Sequence, residues 1–167
     1  MSTRFIKLTG EFPKPWMNFS GAGQAWLDTL HLLLDHRDEG GGWGIFYVEP
    51  TVVAFVLELF AKSLAAHEDP TFDARKFGHA TSSIIAAYSA TVPLFATCMA
   101  DESLMATVRE YEKTTDVKYG EMSINLDGND SKKLIDAAYA IRAELYRRTS
   151  VNYLRPQTSL PGRATRC

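Results

Sequence analysis

Residues 50–67 read Pro-Thr-Val-Val-Ala-Phe-Val-Leu-Glu-Leu-Phe-Ala-Lys-Ser-Leu-Ala-Ala-His. Val53, Val56, Leu57, Phe60 and Leu64 recur at helical spacing and make one apolar stripe. Val52, Phe55 and Leu59 widen that stripe until little polar surface remains. A helix apolar most of the way round belongs at the centre of a bundle. Its two interior charges, Glu58 and Lys62, stand four residues apart with the acid first, the favourable order for an intrahelical pair. This stretch predicts an all-α fold built around one enclosed helix.

The flanking segments extend that reading to an up-and-down bundle of about five helices. Ser20 is an N-cap candidate for a helix over about 21–37, with Trp26, Leu27, Leu30, Leu33 and Leu34 on its buried face. The central helix is expected over about 51–67, with Pro50 in its first turn and Asp69-Pro70 as its stop. A third helix over about 79–92 presents Ile84, Ile85, Tyr88 and Val92. Pro93 either kinks it or starts another helix over 93–99. Asp101 and Glu102 open a helix to about 113, with Leu104, Val108 and Tyr111 inward. Asn129 or Asp130 caps the last helix, about 131–149, whose core face is Leu134, Ala138, Ile141 and Leu145.

Outside the bundle, residues 1–20 carry Pro13 and Pro15 among aromatics and are expected to form an extended arm. Four glycines among residues 40–44 make a loop. They lack the Lys-Ser/Thr of a phosphate-binding loop, and residues 45–48 read as extended. A short strand is conceivable at 123–126. Residues 151–167 are expected to be a flexible basic tail, since Arg155, Arg163 and Arg166 come without an acid and with little to bury.

The chain has 167 residues, one domain by size, with 46% apolar and 23% charged residues, enough to bury a core without staples. A net charge of −2 implies no global attraction to nucleic acid or membrane, so any such contact needs a local basic patch. Two cysteines, Cys98 and Cys167, make neither a disulfide framework nor a zinc spacing. With no apolar leader after Met1, a cytoplasmic home is expected. Residues 77–100 carry no Asp, Glu, Lys or Arg after Lys76 and before Asp101. Their many hydroxyls predict a buried core segment rather than a membrane span. No metal and no cofactor is expected.

Several residues carry potential chemistry. His31 and His36 are five apart and diverge around a helix. His67 ends a helix, where an imidazolium meets the dipole favourably. Cys98 with His79 as base is a conceivable nucleophile pair, although a cysteine among Phe95, Ala96 and Met99 reads as core. His79 follows Arg75 and Lys76, which supply local positive charge for a phosphate. Arg142, Arg147, Arg148 and Arg155 form a second basic cluster, which reads equally as a solvated helix C-terminus.

Three patterns together resemble the HEPN family, helical domains named for nucleotide binding. These are Leu57–Ala66 with its Glu58 and Lys62, the run Lys76-Phe77-Gly78-His79, and Asp116–Gly120, where Lys118-Tyr119 stands in place of the family's Arg-Tyr. The resemblance covers about residues 50–150. It implies a four- or five-helix bundle, often a homodimer. It also implies a nucleotide or RNA as ligand, and a nucleotidyltransferase-type partner in toxin–antitoxin or defence systems. By that resemblance Glu58, Lys62, His79, Lys118 and Tyr119 would line a polar groove. Catalytic members place an Arg ahead of a His at the dimer cleft. Here Arg75 and His79 are closely spaced, precede a different helix, and no His follows. The expectation is therefore a non-catalytic binding module. The alternatives are a metal-independent endoribonuclease with a divergent site, His79 as base and Arg75 or Lys118 on the phosphate, or a structural all-α protein without ligand.

Overall fold

In the computed structural model, residues 14–38, 44–115 and 128–154 are described. Among them are six α-helices: α1 (Pro15–Asp38), α2 (Gly44–Glu68), α3 (Thr81–Tyr88), α4 (Pro93–Ala100), α5 (Glu102–Thr115) and α6 (Gly128–Thr149). Two single 3-10 turns accompany them, at Ala74–Lys76 and Asn152–Leu154. No strand occurs among the described residues, and the architecture is an all-α helical bundle.

The centre is α2, which packs against α1, α3, α5 and α6. Every residue from Phe60 to Ala66 is buried, polar ones included. Burial all round the last turns follows from the wide apolar stripe, since each face meets a different helix. Fully burying a side chain such as Phe60 or Leu64 stabilises the fold by about 2–3 kcal/mol. Opposite Phe60, Gly23 of α1 lets the two helices close in: a Cβ there would meet the Phe60 ring at 3.2 Å.

The other helices add their stripes to this core. Ile84 and Ile85 come from α3, Phe95 and Cys98 from α4. Leu104, Val108 and Tyr111 come from α5, and Leu134, Ala138, Ile141 and Leu145 from α6. Pro93 starts a helix rather than kinking one: it occupies the first turn of α4, after extended Val92. The apolar run of residues 77–100 is thereby split into two eight-residue helices inclined at 120°, and no single described helix is long and apolar enough to cross a membrane. Asp101 caps α5 with its carboxylate on the Leu104 amide, at 2.9 Å.

Five expectations change. Helix α1 begins at Pro15, not near residue 21, because Pro15 suits a first helical turn that needs no amide donor. Ser20 is consequently not a cap. It is buried inside the helix and shares a 2.8 Å hydrogen bond with Tyr153. Residues 45–48, read as extended, belong to α2, and Pro50 lies inside the helix instead of opening it. Residues 151–154 belong to the fold, with Leu154 fully buried, so a tail can begin only beyond them. Trp26 is 40% exposed rather than on the buried face of α1. The glycine loop through Gly42, the 123–126 strand, Lys118, Tyr119 and Arg155 lie outside the described residues.

Candidate binding site

Helix α2 supplies Glu58 and Lys62, one turn apart on a buried face. Lys62 Nζ donates to Glu58 Oε1 at 2.5 Å. A second Nζ donor reaches the Gly78 carbonyl at 2.7 Å. The other carboxylate oxygen, Glu58 Oε2, accepts from His79 Nδ1 at 3.0 Å. One buried carboxylate thus joins a lysine of the central helix to an imidazole on the connection to α3. Three charged or polar groups are satisfied together, which offsets the cost of taking them out of water.

The connection that brings His79 there is well braced. Asp69 stops α2 by accepting from the Thr71 amide at 2.8 Å and the Thr71 hydroxyl at 2.7 Å. Its second oxygen accepts from Tyr88 at 2.9 Å. The Thr71 bonds, then Tyr88, hold the Asp69 carboxyl below the usual carboxylate range, while burial and Asp69 push the Tyr88 phenol up. Asp73 caps the 3-10 turn through the Arg75 amide. Phe72, Phe77 and Tyr88 pack ring on ring. Gly78 then takes φ +55°, the left-handed region that glycine enters without a Cβ penalty. That turn aims its carbonyl at Lys62 and the next side chain at Glu58.

On the far side, Glu112 of α5 accepts from both the amide and, at 2.9 Å, the hydroxyl of Ser82. This satisfies one of the free amides at the start of α3, directly after His79. A small pocket of about 10 Å³ lies between Glu58, His79, Thr81, Tyr111 and Glu112, over Ala54, Leu57, Val108 and Leu134. It has room for about one water molecule.

His79 faces outward, its side chain 52% exposed. A carboxylate only accepts, so the bond to Glu58 places the ring proton on Nδ1. Nε2 is left facing outward, with no partner among the described residues. The imidazole edge meets the Phe55 ring at 5.8 Å and 78°. Phe55 in turn stacks on Trp26 at 5.6 Å and 26°. Three partly exposed rings from α1, α2 and the connection therefore form a row. Arg75 and Lys76 are exposed on the same connection, and their side chains make no ion pair among the described residues.

The structure thus brings Glu58, Lys62 and His79 together, sets Arg75 four residues away on the exposed turn, and leaves Lys118 and Tyr119 undescribed. Trp26 and Phe55 were not singled out as site residues, because their contact depends on the register between α1 and α2. The exposed Trp26 indole is the one signal in hindsight, and in the sequence it reads as core.

The remaining candidates are accounted for by structure. Burial pushes the Cys98 thiol up, away from nucleophilic thiolate, and His79 Nδ1 is committed to Glu58. Arg147 and Arg148 bind Glu144, and Arg148 also binds Glu68. Arg142 is buried, donating to Gln24 at 2.7 Å and to the Tyr153 carbonyl at 3.1 Å. Of that basic cluster, Arg147 and Arg148 are paired with acids and Arg142 is engaged by neutral acceptors. His31 shares a 2.5 Å hydrogen bond with Tyr139. No group of three His, Cys, Asp or Glu side chains among the described residues is placed to hold a metal ion.

No protein-family model, no curated protein and no solved structure matches this chain.

Proposed function

We propose that this protein is a non-catalytic helical binding module that takes a nucleotide, free or within RNA, at the edge formed by Trp26, Phe55, His79, Arg75 and Lys76. The observation that supports this reading is the row of partly exposed rings, with Arg75 and Lys76 exposed on the connection that carries His79. Aromatic and imidazole faces stack nucleobases, and arginine and lysine take the phosphates. Asp69 lies close enough to Lys76 for the two charges to interact, while Asp73 is bonded to the Arg75 amide and Glu68 to Arg148. Glu58 and Lys62 serve as the internal support that sets the ring of His79. With the pocket beside them sized for a water, the ligand lies on the surface rather than in a cavity.

Thermal shift with a panel of nucleotides, and anisotropy of a labelled, unstructured oligoribonucleotide, test the reading. Saturable binding that weakens about tenfold in His79→Ala and in Arg75→Ala/Lys76→Ala supports it. Such a loss corresponds to about 1.4 kcal/mol, in the range of one stacked base or charge-assisted contact. No binding at millimolar ligand would leave the Glu58–Lys62–His79 cluster as a purely structural clasp.

One observation favours a second reading. The Glu58–His79 bond presents Nε2 as a base, with Arg75 available to steady a phosphate, which suits a metal-independent endoribonuclease. Cleavage of the same oligonucleotide in EDTA, lost in His79→Ala, would establish that alternative.

A further inference from the structure

A different imidazole poses a separate question. His67 lies in the last turn of α2. Its Nδ1 is shut off from solvent and has no hydrogen-bond partner. Its ring meets the Trp16 ring in a T-shaped contact, 5.6 Å between centroids and 71° between planes. Trp16 belongs to the first turn of α1 and is 6% exposed. The Trp16 carbonyl also accepts from Ser63 Oγ at 2.9 Å, four residues before His67. The first turn of α1 is thus seated on the last turn of α2 by one ring contact and one hydrogen bond.

The charges around that seat are unfavourable to a second cation. Lys14 faces His67 from the start of α1, and Arg148 faces it from α6. Among the described residues Glu68 is the acid that acts on His67, and it is taken by Arg148 at 2.5 Å. Arg148 is held further by Glu144 at 2.7 Å. A helix C-terminus would ordinarily welcome an imidazolium. Here Arg148 already fills that role, and a proton on Nδ1 would find no acceptor.

We propose that His67 is the sensing group of an acid-operated latch: uncharged, it lets the first turn of α1 seat on α2, and protonated, it drives Trp16 off that seat. The sign follows from linkage. Burial first, then Arg148, lower the His67 pKa from 6.5 in the seated form. The seated form therefore binds its proton less tightly than the released one. The seat is firmest above about pH 6.5 and weakens as pH falls below that value. One proton is taken up per release, so the released fraction grows by at most about tenfold per pH unit. The inference stands apart from the nucleotide reading, since neither Trp16 nor His67 belongs to that edge.

The test is proton–nitrogen NMR of the full chain between about pH 7.5 and 5. The Trp16 indole resonance reports the seat, the His67 ring reports the proton, and the uncharged His67 variants are the control. The expected result is a shift of the Trp16 indole with the same midpoint as the His67 ring, below 6.5. Intrinsically corrected amide exchange in residues 16–20 should accelerate several-fold over the same range. In His67→Phe, both changes should vanish. If the phenylalanine variant does not fold, His67→Gln, also uncharged, must show the same loss of response. Three results would each overturn the proposal. They are an unmoved Trp16 while His67 titrates, a His67 midpoint at or above 6.5, or an acid response that persists in the uncharged variants.

Discussion

Glu58 Oε2 and His79 Nδ1 meet at 3.0 Å across 21 residues of sequence. The same carboxylate holds Lys62 through its other oxygen at 2.5 Å. The buried interior of α2 is thereby tied to an exposed ring on the connection to α3. Five expected outcomes follow from this and neighbouring contacts.

Glu58→Ala would strand the Lys62 ammonium, which is only 10% exposed at its side chain. Breaking one partner of a buried pair costs about 3–5 kcal/mol. The lower end is expected here, because Lys62 keeps its bond to the Gly78 carbonyl. Replacing both partners, in Glu58→Met/Lys62→Met, should recover most of the loss. Urea unfolding of the two variants checks the difference.

Gly78→Ala should destabilise by about 1–2 kcal/mol, the cost of a Cβ in the left-handed region. Space is not the issue, since a Cβ there would meet nothing within 4 Å. The loss should be smaller for Gly78→Asn, which tolerates that conformation. Equal losses in the two variants would contradict the backbone explanation.

Phe60→Ala should cost about 3–5 kcal/mol, as a fully buried ring leaves a cavity behind. Because Gly23 abuts that ring, Gly23→Ala should be better tolerated in the Phe60→Leu background than in the wild type. A double-mutant cycle of denaturation midpoints measures the coupling.

How much of this is legible in the sequence differs from element to element. The burial of α2, α5 and α6 follows from spacing alone, because Phe60 and Leu64, Leu104 and Val108, and Leu134, Ala138 and Ile141 recur at helical intervals within their own helices. The Glu58–Lys62 pair also follows from spacing. The start of α1 does not: Pro15 reads as a helix breaker, yet a proline suits a first turn. The Val48 end of α2 reads as extended because β-branched and aromatic residues suit strands as well, and tertiary packing overrides such local preference. The Trp26–Phe55 stack and the Glu58–His79 bond depend on how helices and connections meet in space, and local pattern carries no such register.

Acid should weaken a second site. Glu144 accepts from Arg147 Nε at 2.8 Å and from Arg148 Nε at 2.7 Å. Arg147 first, with Arg148 beside it, brings its pKa from 4.5 to about 2. A depressed carboxyl stabilises the fold above about pH 4.5, and that contribution is lost as pH falls toward 2. Arg147→Ala should raise the Glu144 midpoint from about 2 toward 4.5, read by carboxyl-carbon NMR. The effect on stability should be small, since Arg147 is exposed.

Binding at the ring row gives the fifth outcome. Trp26→Ala should weaken nucleotide binding by about tenfold while costing little stability, because the indole is 40% exposed. Equilibrium dialysis alongside urea unfolding separates the two effects.

The most direct measurement is a chemical-shift titration of the wild-type chain with adenosine monophosphate and with a short unstructured oligoribonucleotide. The account requires saturable changes concentrated at the Trp26 indole, the Phe55 ring, the Arg75 and Lys76 amides and the His79 imidazole. No change at millimolar ligand, or changes gathered on a face remote from His79, would contradict it.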